Sequence, residues 1–199
     1  PVTPGMATSE RSMENEYLAV TIQPNGSLSL FDKRTGATYD RLLTFEDIAD
    51  IGDGWYHGLA VNDQVYTSTA SAAAVSLVHD GPNLTTVCIR TTMQAPHRFV
   101  FGDVMQRSQE LVDLVLNSRI SLRPGVAHME VETTARNVAE DHRLRVLFPS
   151  SAKAKTYLAD SPFDVIERSI ALSSENHLFR ELEVETKPQQ TWTAVFDDA

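Results

Sequence analysis

Apolar and polar residues alternate with a period of two along much of the chain, which is typical of strands with one buried face. Residues 18–22 follow this pattern, and residues 28–30 resume it. Between them stands Asn25-Gly26, a dipeptide that favours a tight hairpin turn. The N-terminal part of the chain therefore predicts an antiparallel meander.

Longer alternating segments continue through the middle of the chain and are separated by turn signals rich in Asp, Asn, Gly and Pro. Helical periodicity is scarce, and residues 159–167 and 175–183 fit neither period. Many strands joined by short turns predict an all-β sandwich or barrel. The further predicted strands cover residues 38–43, 74–79, 84–92, 114–122, 127–137, 144–148 and 191–196.

The apolar positions of these strands predict a single buried core. Six side chains in the middle of predicted strands are expected to be buried: Val20, Leu30, Ile89, Leu116, Val131 and Val146. Residues 1–13 contain Pro and Gly near their start and predict an interdomain linker or a cut boundary. The sandwich domain is accordingly expected over residues 14–199, as a piece of a larger protein.

An acidic stretch, residues 44–58, interrupts the strand pattern with three glycines and a Trp-Tyr pair. It predicts a functional loop rather than a packed strand. Its four carboxylates, whose spacing does not match a calcium loop, could serve glycoside hydrolysis or form a solvated acidic surface. They are Glu46, Asp47, Asp50 and Asp53.

Trp55 and Tyr56, beside these acids, are candidates for sugar binding. Aromatic rings stack on the C–H face of a pyranose, while carboxylates accept hydrogen bonds from its hydroxyls. The alternative is that Trp55 packs the loop onto the sandwich.

Charge and composition exclude several classes of partner. Of 199 residues, 42% are hydrophobic and 22% charged, as in soluble globular proteins. A net charge of −10 without a basic run argues against nucleic acid or an anionic membrane. No apolar stretch is long enough to span a bilayer. The single cysteine, Cys88, rules out a disulfide within the chain and suits a reducing compartment, so a cytoplasmic location is expected.

No metal or nucleophile motif is present in the sequence. The histidines form neither a His-Glu-x-x-His pair nor a zinc cluster. They are scattered along the chain at His57, His79, His97, His128, His142 and His177. The chain is therefore expected to hold no catalytic residue, metal or cofactor of its own.

Several segments in order resemble glycoside hydrolase family 38, the α-mannosidases, in their C-terminal β region. The opening hairpin, a central strand pair, an Asp-Ser-Pro-Phe segment ending in Arg168 and a Pro-Gln-Gln segment carry the resemblance. They occupy residues 15–36, 135–149, 159–168 and 188–190.

This resemblance implies an antiparallel twisted supersandwich of the galactose-mutarotase type, truncated at its C-terminal side. It also implies a retaining, zinc-dependent parent enzyme of bacterial type that acts on mannose-containing oligosaccharides. Zinc and the catalytic nucleophile would lie in an N-terminal catalytic domain, the expected partner of this sandwich. The chain alone would be inactive.

The resemblance further implies that Tyr56 and Arg168 reach the substrate cleft from one side of the sandwich, with Asp53 and Trp55 shaping the loop. Pairing of Arg168 with Glu167 or Asp164 on an exposed face is the alternative.

Two other functions compete with the cleft role. One is a stand-alone carbohydrate-binding or aldose-epimerase-like sandwich, which needs a histidine base paired with a carboxylate; the sequence offers no clear pair. The other is a purely structural or oligomerisation module.

Overall fold

The protein is represented by a computed structural model that describes residues 4–179 and 183–196. It divides into two compact units, Pro1–Pro149 and Ser150–Ala199. The described residues form seventeen strands and two single-turn 3₁₀ segments, without an α-helix, and all strand pairs are antiparallel. The all-β antiparallel class predicted from the alternation is confirmed.

The first unit contains fourteen of these strands. They are β1 (Ala7–Ser9), β2 (Ser12–Glu14), β3 (Leu18–Ile22), β4 (Leu28–Asp32), β5 (Ala37–Leu42), β6 (Thr44–Ala49), β7 (Tyr66–Thr67), β8 (Ala73–Gly81), β9 (Leu84–Pro96), β10 (Phe99–Val100), β11 (Gln106–Arg107), β12 (Leu111–Leu122), β13 (Glu130–Arg136) and β14 (His142–Leu147). A 3₁₀ turn, Ser68–Ala70, follows β7. The sheets have the orders β1-β2-β3-β4-β5, β13-β12-β9-β8, β14-β6-β7 and β10-β11.

The turn between β3 and β4 is the predicted Asn-Gly hairpin. Oδ1 of Asn25 accepts hydrogen bonds from the nitrogen and the hydroxyl of Ser27, at 3.1 and 2.8 Å. Gly26 has φ +88°, and a Cβ there would lie 2.7 Å from Oγ1 of Thr91 and 2.9 Å from Cβ of Ala73. Glycine is therefore required at position 26 both by the turn and by the close approach of the turn to the β13-β12-β9-β8 sheet.

The core lies between the five-stranded sheet and the β13-β12-β9-β8 sheet. Alternate residues of β12, from Leu114 to Leu122, are buried, and β12 pairs with β9 over its whole length. The main hydrophobic cluster joins side chains of both sheets with Leu43 and Phe45. Its members are Met13, Leu18, Val20, Ile22, Leu28, Leu42, Leu43, Phe45, Ala73, Val87, Ile89, Met93, Leu116, Ile120 and Leu122.

The six predicted core residues divide into three groups. Val20, Ile89 and Leu116 are buried, each 1% exposed. Leu30 and Val131 are half-buried and pack against the cluster. The prediction for Val146 is wrong, because its side chain is 43% exposed. Val146 lies near the end of β14, which is an edge strand. The alternation of apolar and polar residues continues there, past the part of the structure that packs in the core.

Two further expectations are corrected. Residues 44–49 do not belong to a loop: they form β6, the central strand of its sheet, with five of six residues buried. The stretch expected as a linker or cut boundary, residues 1–13, contains β1 and most of β2, which pair in the first sheet and bury Met13.

The second unit contains a three-stranded sheet of order β16-β15-β17, built from β15 (Thr156–Ser161), β16 (Asp164–Ser169) and β17 (Thr193–Ala194). The ambiguous residues 159–167 thus belong to a hairpin. Residues 175–183 include the 3₁₀ turn Asn176–Leu178, while 180–182 lie outside the described residues. The strand predicted for 191–196 is only two residues long.

Candidate functional site

A loop over residues 50–58 leaves the end of β6 and is closed at its base. The nitrogen of Asp50 donates to the carbonyl of Asp141 at 2.9 Å, and that of Ile51 donates to the carbonyl of Gly58 at 3.0 Å. Oδ1 of Asp50 accepts from the nitrogens of Gly52 and Gly58, at 3.0 and 2.9 Å. One carboxylate thus joins both ends of the loop.

Two glycines allow this closure. A Cβ on Gly52 would lie 2.1 Å from the carbonyl oxygen of Tyr56, and one on Gly58 would lie 2.3 Å from the nitrogen of Gly52. Both distances are far below van der Waals contact. Any side chain at either position would open the base of the loop.

His57 is the second partner of Asp50. Its Nδ1 lies 3.0 Å from Oδ2 of Asp50, and its side chain is 14% exposed. Burial alone would raise the pKa of Asp50, but the contact with His57 and the N–H groups of Gly58 and Gly52 outweigh it. The pKa of Asp50 therefore lies below its ordinary value, which keeps the carboxylate charged.

The tip of the loop is shaped by Asp53. Its Oδ1 accepts hydrogen bonds from the nitrogens of Trp55 and Tyr56, at 2.8 and 3.3 Å, as in an Asx turn. Trp55 is 95% exposed and Tyr56 is 65% exposed. Trp55 therefore does not pack the loop onto the sandwich, and the structure brings three of the four predicted site residues together at one tip.

Arg168, the fourth, lies on β16 in the second unit. Its Nη1 donates to the carbonyl of Pro188 at 2.8 Å. Among the described residues it forms no ion pair with Glu167 or Asp164. It lines a cavity of about 180 Å³ together with Asp160 and Gln189.

Asp160 fixes the wall of that cavity. It accepts a hydrogen bond from the hydroxyl of Thr191. It also accepts hydrogen bonds from the backbone nitrogens of Gln190, Thr191 and Trp192, at 3.0, 2.8 and 3.1 Å respectively. The pKa of Asp160 is lowered to about 2, chiefly by the hydrogen bond from the Thr191 hydroxyl. This effect is larger than that of burial, which acts to raise the pKa. The carboxylate thus ties residues 190–192 to β15.

A buried charged cluster, which the sequence pattern did not predict, is centred on β6, the strand that precedes the loop. Asp47 on β6 is completely buried. Its Oδ1 accepts from Nη2 of Arg107, and its Oδ2 pairs with Nδ1 of His142. Nε2 of His142 lies 2.9 Å from Oδ1 of Asn137. The sequence did contain one indication that Asp47 is buried: on a strand it faces the same side as Phe45 and Ala49, which are both apolar.

The structure also forms histidine–carboxylate pairs that the sequence did not reveal, His57 with Asp50 and His142 with Asp47. Both imidazole rings are largely buried, with side chains 14% and 4% exposed. A general base must reach a proton of its substrate. Neither of these two pairs therefore offers an accessible base. A third pair joins Nδ1 of His97 to Oε2 of Glu110 at 3.5 Å, and the His97 side chain is 35% exposed.

Among residues 4–179 and 183–196, no group of three or more His, Cys, Asp or Glu side chains is placed to hold a metal ion. The same residues contain no helix long and apolar enough to cross a membrane.

The sandwich and its loop can be compared with known proteins. The family model of the glycosyl hydrolases family 38 C-terminal domain matches residues 13–199. The chain belongs to this family. The match covers both units of the family 38 domain, including the loop at residues 50–58 and Arg168.

Relatives of the family 38 domain are much longer than the chain. A protein of Halalkalibacterium halodurans named "Putative mannosylglycerate hydrolase" is 31% identical over 173 residues, which are 80% of the chain and 19% of that protein. An α-mannosidase from Enterococcus faecalis V583 matches with 30% identity and a TM-score of 0.86, over 96% of the chain and 23% of its own length. A second Enterococcus faecalis structure, of a family 38 glycosyl hydrolase, gives 31% identity and a TM-score of 0.77 over 82% of the chain and 21% of its own length. These structures confirm the predicted family 38 sandwich, and the chain spans about a fifth of the relatives it matches.

Proposed function

We propose that this family 38 domain completes the substrate cleft of a retaining, zinc-dependent α-mannosidase whose catalytic residues lie in another domain of the same polypeptide. The observation that carries the proposal is the loop at residues 50–58. Its base is closed by Asp50 and two glycines, while its tip presents Trp55 and Tyr56 with 95% and 65% exposure. A rigid base with exposed aromatic rings suits contact with a sugar.

Exposed apolar side chains that follow the tip along the chain support a covering domain. Leu59, Val61 and Val65 are 69%, 98% and 56% exposed, and Trp55 is 95% exposed. Exposed apolar groups of this kind are common at interaction surfaces. The relatives have four-fifths of their length outside the matched region, so the proposed occupant is the catalytic domain of the same chain.

Each site residue has a role in this proposal. Trp55 stacks on a mannose ring, the hydroxyl of Tyr56 donates to a sugar oxygen, and Asp53 holds the turn that orients both. Arg168 contributes a further donor, since its planar guanidinium has five N–H groups.

The family resemblance implies zinc, and the described residues place no group of three His, Cys, Asp or Glu side chains to hold it. In this proposal the zinc site and the nucleophile belong to the catalytic domain. We expect the isolated chain to release no product from an aryl α-mannoside, with or without added zinc. Turnover above the buffer control would contradict this.

The cleft role is tested in the full-length enzyme with Tyr56→Phe and Arg168→Ala. Loss of a hydrogen bond made in the transition state should lower kcat/KM about tenfold for Tyr56→Phe, with the melting temperature nearly unchanged. Tyr39→Phe, which removes the same hydroxyl from β5 in the first sheet, is the matched control and should keep wild-type kinetics. Intact kinetics with a large loss of stability would show that the two residues serve the fold instead.

A further inference from the structure

Strand β13 (Glu130–Arg136) forms one edge of the β13-β12-β9-β8 sheet, and among the described strands it pairs only with β12. Six of its seven residues are exposed, and Val131 is half-buried. Within residues 4–179 and 183–196, no backbone hydrogen bond outside the ladder with β12 involves this strand. The outer edge of β13 therefore presents unpaired N–H and C=O groups, to which a further strand can be added.

The core does not extend under most of β13. Thr133 lies opposite Ser118 of β12, and Ala135 lies opposite Leu116, and both of these β12 residues are 1% exposed. Thr133 and Ala135 are nevertheless exposed themselves. A further strand beside β13 would therefore not have to displace core side chains.

The order of charges along β13 indicates which strand fits this edge. When two copies of the strand are aligned antiparallel about Thr133, Glu130 of each copy lies opposite Arg136 of the other. Val131 then lies opposite Ala135, and Thr133 lies opposite its own copy. Opposite charges and paired threonines are favourable cross-strand pairs. The strand is thus complementary to itself.

This alignment also keeps the hydrogen-bond ladder in register. The two members of each pair differ by an even number of residues, so both turn their N–H and C=O groups to the same side. An axis at Glu132 would place two carboxylates opposite each other and would leave Arg136 without a partner on the strand. The axis at Thr133 pairs every residue of β13.

Both charged residues are available for this pairing. Nε of Arg123 lies 3.2 Å from Oε1 of Glu130, but the two side chains are 47% and 51% exposed. An exposed ion pair of this kind contributes little to stability, so Glu130 can exchange its partner. In the part of the chain that the structure describes, the exposed side chain of Arg136 forms no ion pair and no hydrogen bond.

We propose that two copies of the chain associate through β13, about a two-fold axis at Thr133. Their four-stranded sheets then join into one continuous antiparallel sheet, and the interface is isologous. It involves no residue of the loop at 50–58 and does not depend on the cleft role. A contact along one strand edge belongs with the smaller interfaces, below about 1,200 Å² of buried surface, which are typical of weak assemblies.

The test is sedimentation equilibrium of the 199-residue chain, which should show a monomer–dimer equilibrium between about 10 µM and about 1 mM. Amide protons of alternate β13 residues, those turned away from β12, should exchange more slowly as the concentration rises. A chain that stays monomeric over this range would overturn the proposal. So would a dimer without concentration-dependent protection in β13.

Charge reversal tests the register. Arg136→Glu places like charges opposite each other at both ends of the interface and should raise the dissociation constant about tenfold or more. Glu130→Arg combined with Arg136→Glu restores opposite charges in the same register and should return the constant to within about twofold of the wild-type value. Arg98→Glu, at an exposed position outside β13, makes the same change of net charge and should dimerise as the wild type does. Equal weakening by Arg98→Glu, or no recovery in the double variant, would contradict the assignment.

A strand from the rest of the polypeptide is the rival occupant of this edge, because the matched region is only 19% of the Halalkalibacterium halodurans relative. The full-length protein should show the same equilibrium, and Arg136→Glu should weaken it there too. A monomeric full-length protein would overturn the proposal. Protection of β13 amides at every concentration would then identify a strand of the same polypeptide on this edge.

Discussion

Oδ1 of Asp50 accepts a hydrogen bond from the backbone nitrogen of Gly58, eight residues further along the chain, at 2.9 Å. The same oxygen accepts from Gly52 at 3.0 Å. This carboxylate adds to the backbone hydrogen bonds that close the base of the loop, whereas the sheet that contains β6 is held by apolar packing. The two can be perturbed separately.

Replacement of Asp50 by alanine should loosen the loop and leave the sandwich intact. Loss of one net hydrogen bond corresponds to roughly five- to tenfold faster amide exchange at Gly52 and Gly58. Chymotrypsin should also cut faster at Trp55 and Tyr56. Asp103→Ala, which removes the same charge from an exposed bend, is the control. Unchanged exchange in Asp50→Ala would show that the glycine backbone alone holds the base.

Core packing predicts a large contrast between two apolar truncations. Leu116→Ala should lower the free energy of unfolding by about 2–4 kcal/mol, because the side chain is buried between two sheets. Val146→Ala should cost less than about 1 kcal/mol, since 43% of that side chain is exposed at an edge strand. Urea unfolding of both variants measures the difference. Equal losses would mean that β14 packs more tightly than the structure describes.

The glycine at the β3–β4 turn should be more sensitive than another glycine of similar conformation. Gly26 (φ +88°) and Gly36 (φ +73°) both adopt positive φ, but only at Gly26 would a Cβ meet other atoms. Alanine at Gly36 should cost about 1 kcal/mol from backbone strain. Alanine at Gly26 adds displacement of Thr91 and Ala73, so the loss of unfolding free energy should be clearly larger. Equal losses in thermal or urea unfolding would contradict the close packing.

Acid should weaken the second unit through Asp160. Its pKa falls from an ordinary 3.8 to about 2 on folding, so the unfolded chain takes up the proton at higher pH than the folded chain does. The stabilisation is therefore complete above 3.8 and is lost as pH falls toward about 2.

Asp160→Asn should flatten the decline of stability in this window, as followed by the fluorescence of Trp192 on thermal unfolding. Asp164→Asn, on the exposed strand β16, makes the same charge change and should keep the wild-type slope. A wild-type slope in Asp160→Asn would mean that its hydrogen bonds to residues 190–192 do not stabilise the folded state.

The alternation of apolar and polar residues predicted the buried side chains well on β12, which lies inside its sheet and packs in the core over most of its length. Leu116, in the predicted strand over residues 114–122, is buried, and so are Leu114, Ile120 and Leu122, which share its parity. Val146 has the same pattern, yet it lies on an edge strand. Periodicity reports which side chains share a face, but the depth of that face depends on the neighbouring strands, which a single sequence does not specify.

The candidate site was only partly readable for a related reason. Asp53, Trp55 and Tyr56 form a local turn, so their proximity followed from adjacency in the chain. Asp47 looked like one of several solvated acids because its partners, Arg107 and His142, are 60 and 95 residues away. Buried charges need partners, and those partners become apparent only once the strands are assembled.

The closed base of the loop also bears on how such a domain can diversify. With the chain pinned at Asp50, Gly52 and Gly58, the entropy of loop closure depends little on which residues occupy positions 53–56. Gly54, near the tip, has no atom within 4 Å of where a Cβ would stand. Mutations can therefore accumulate at the tip with little cost to folding, so new recognition surfaces can arise on an unchanged sandwich.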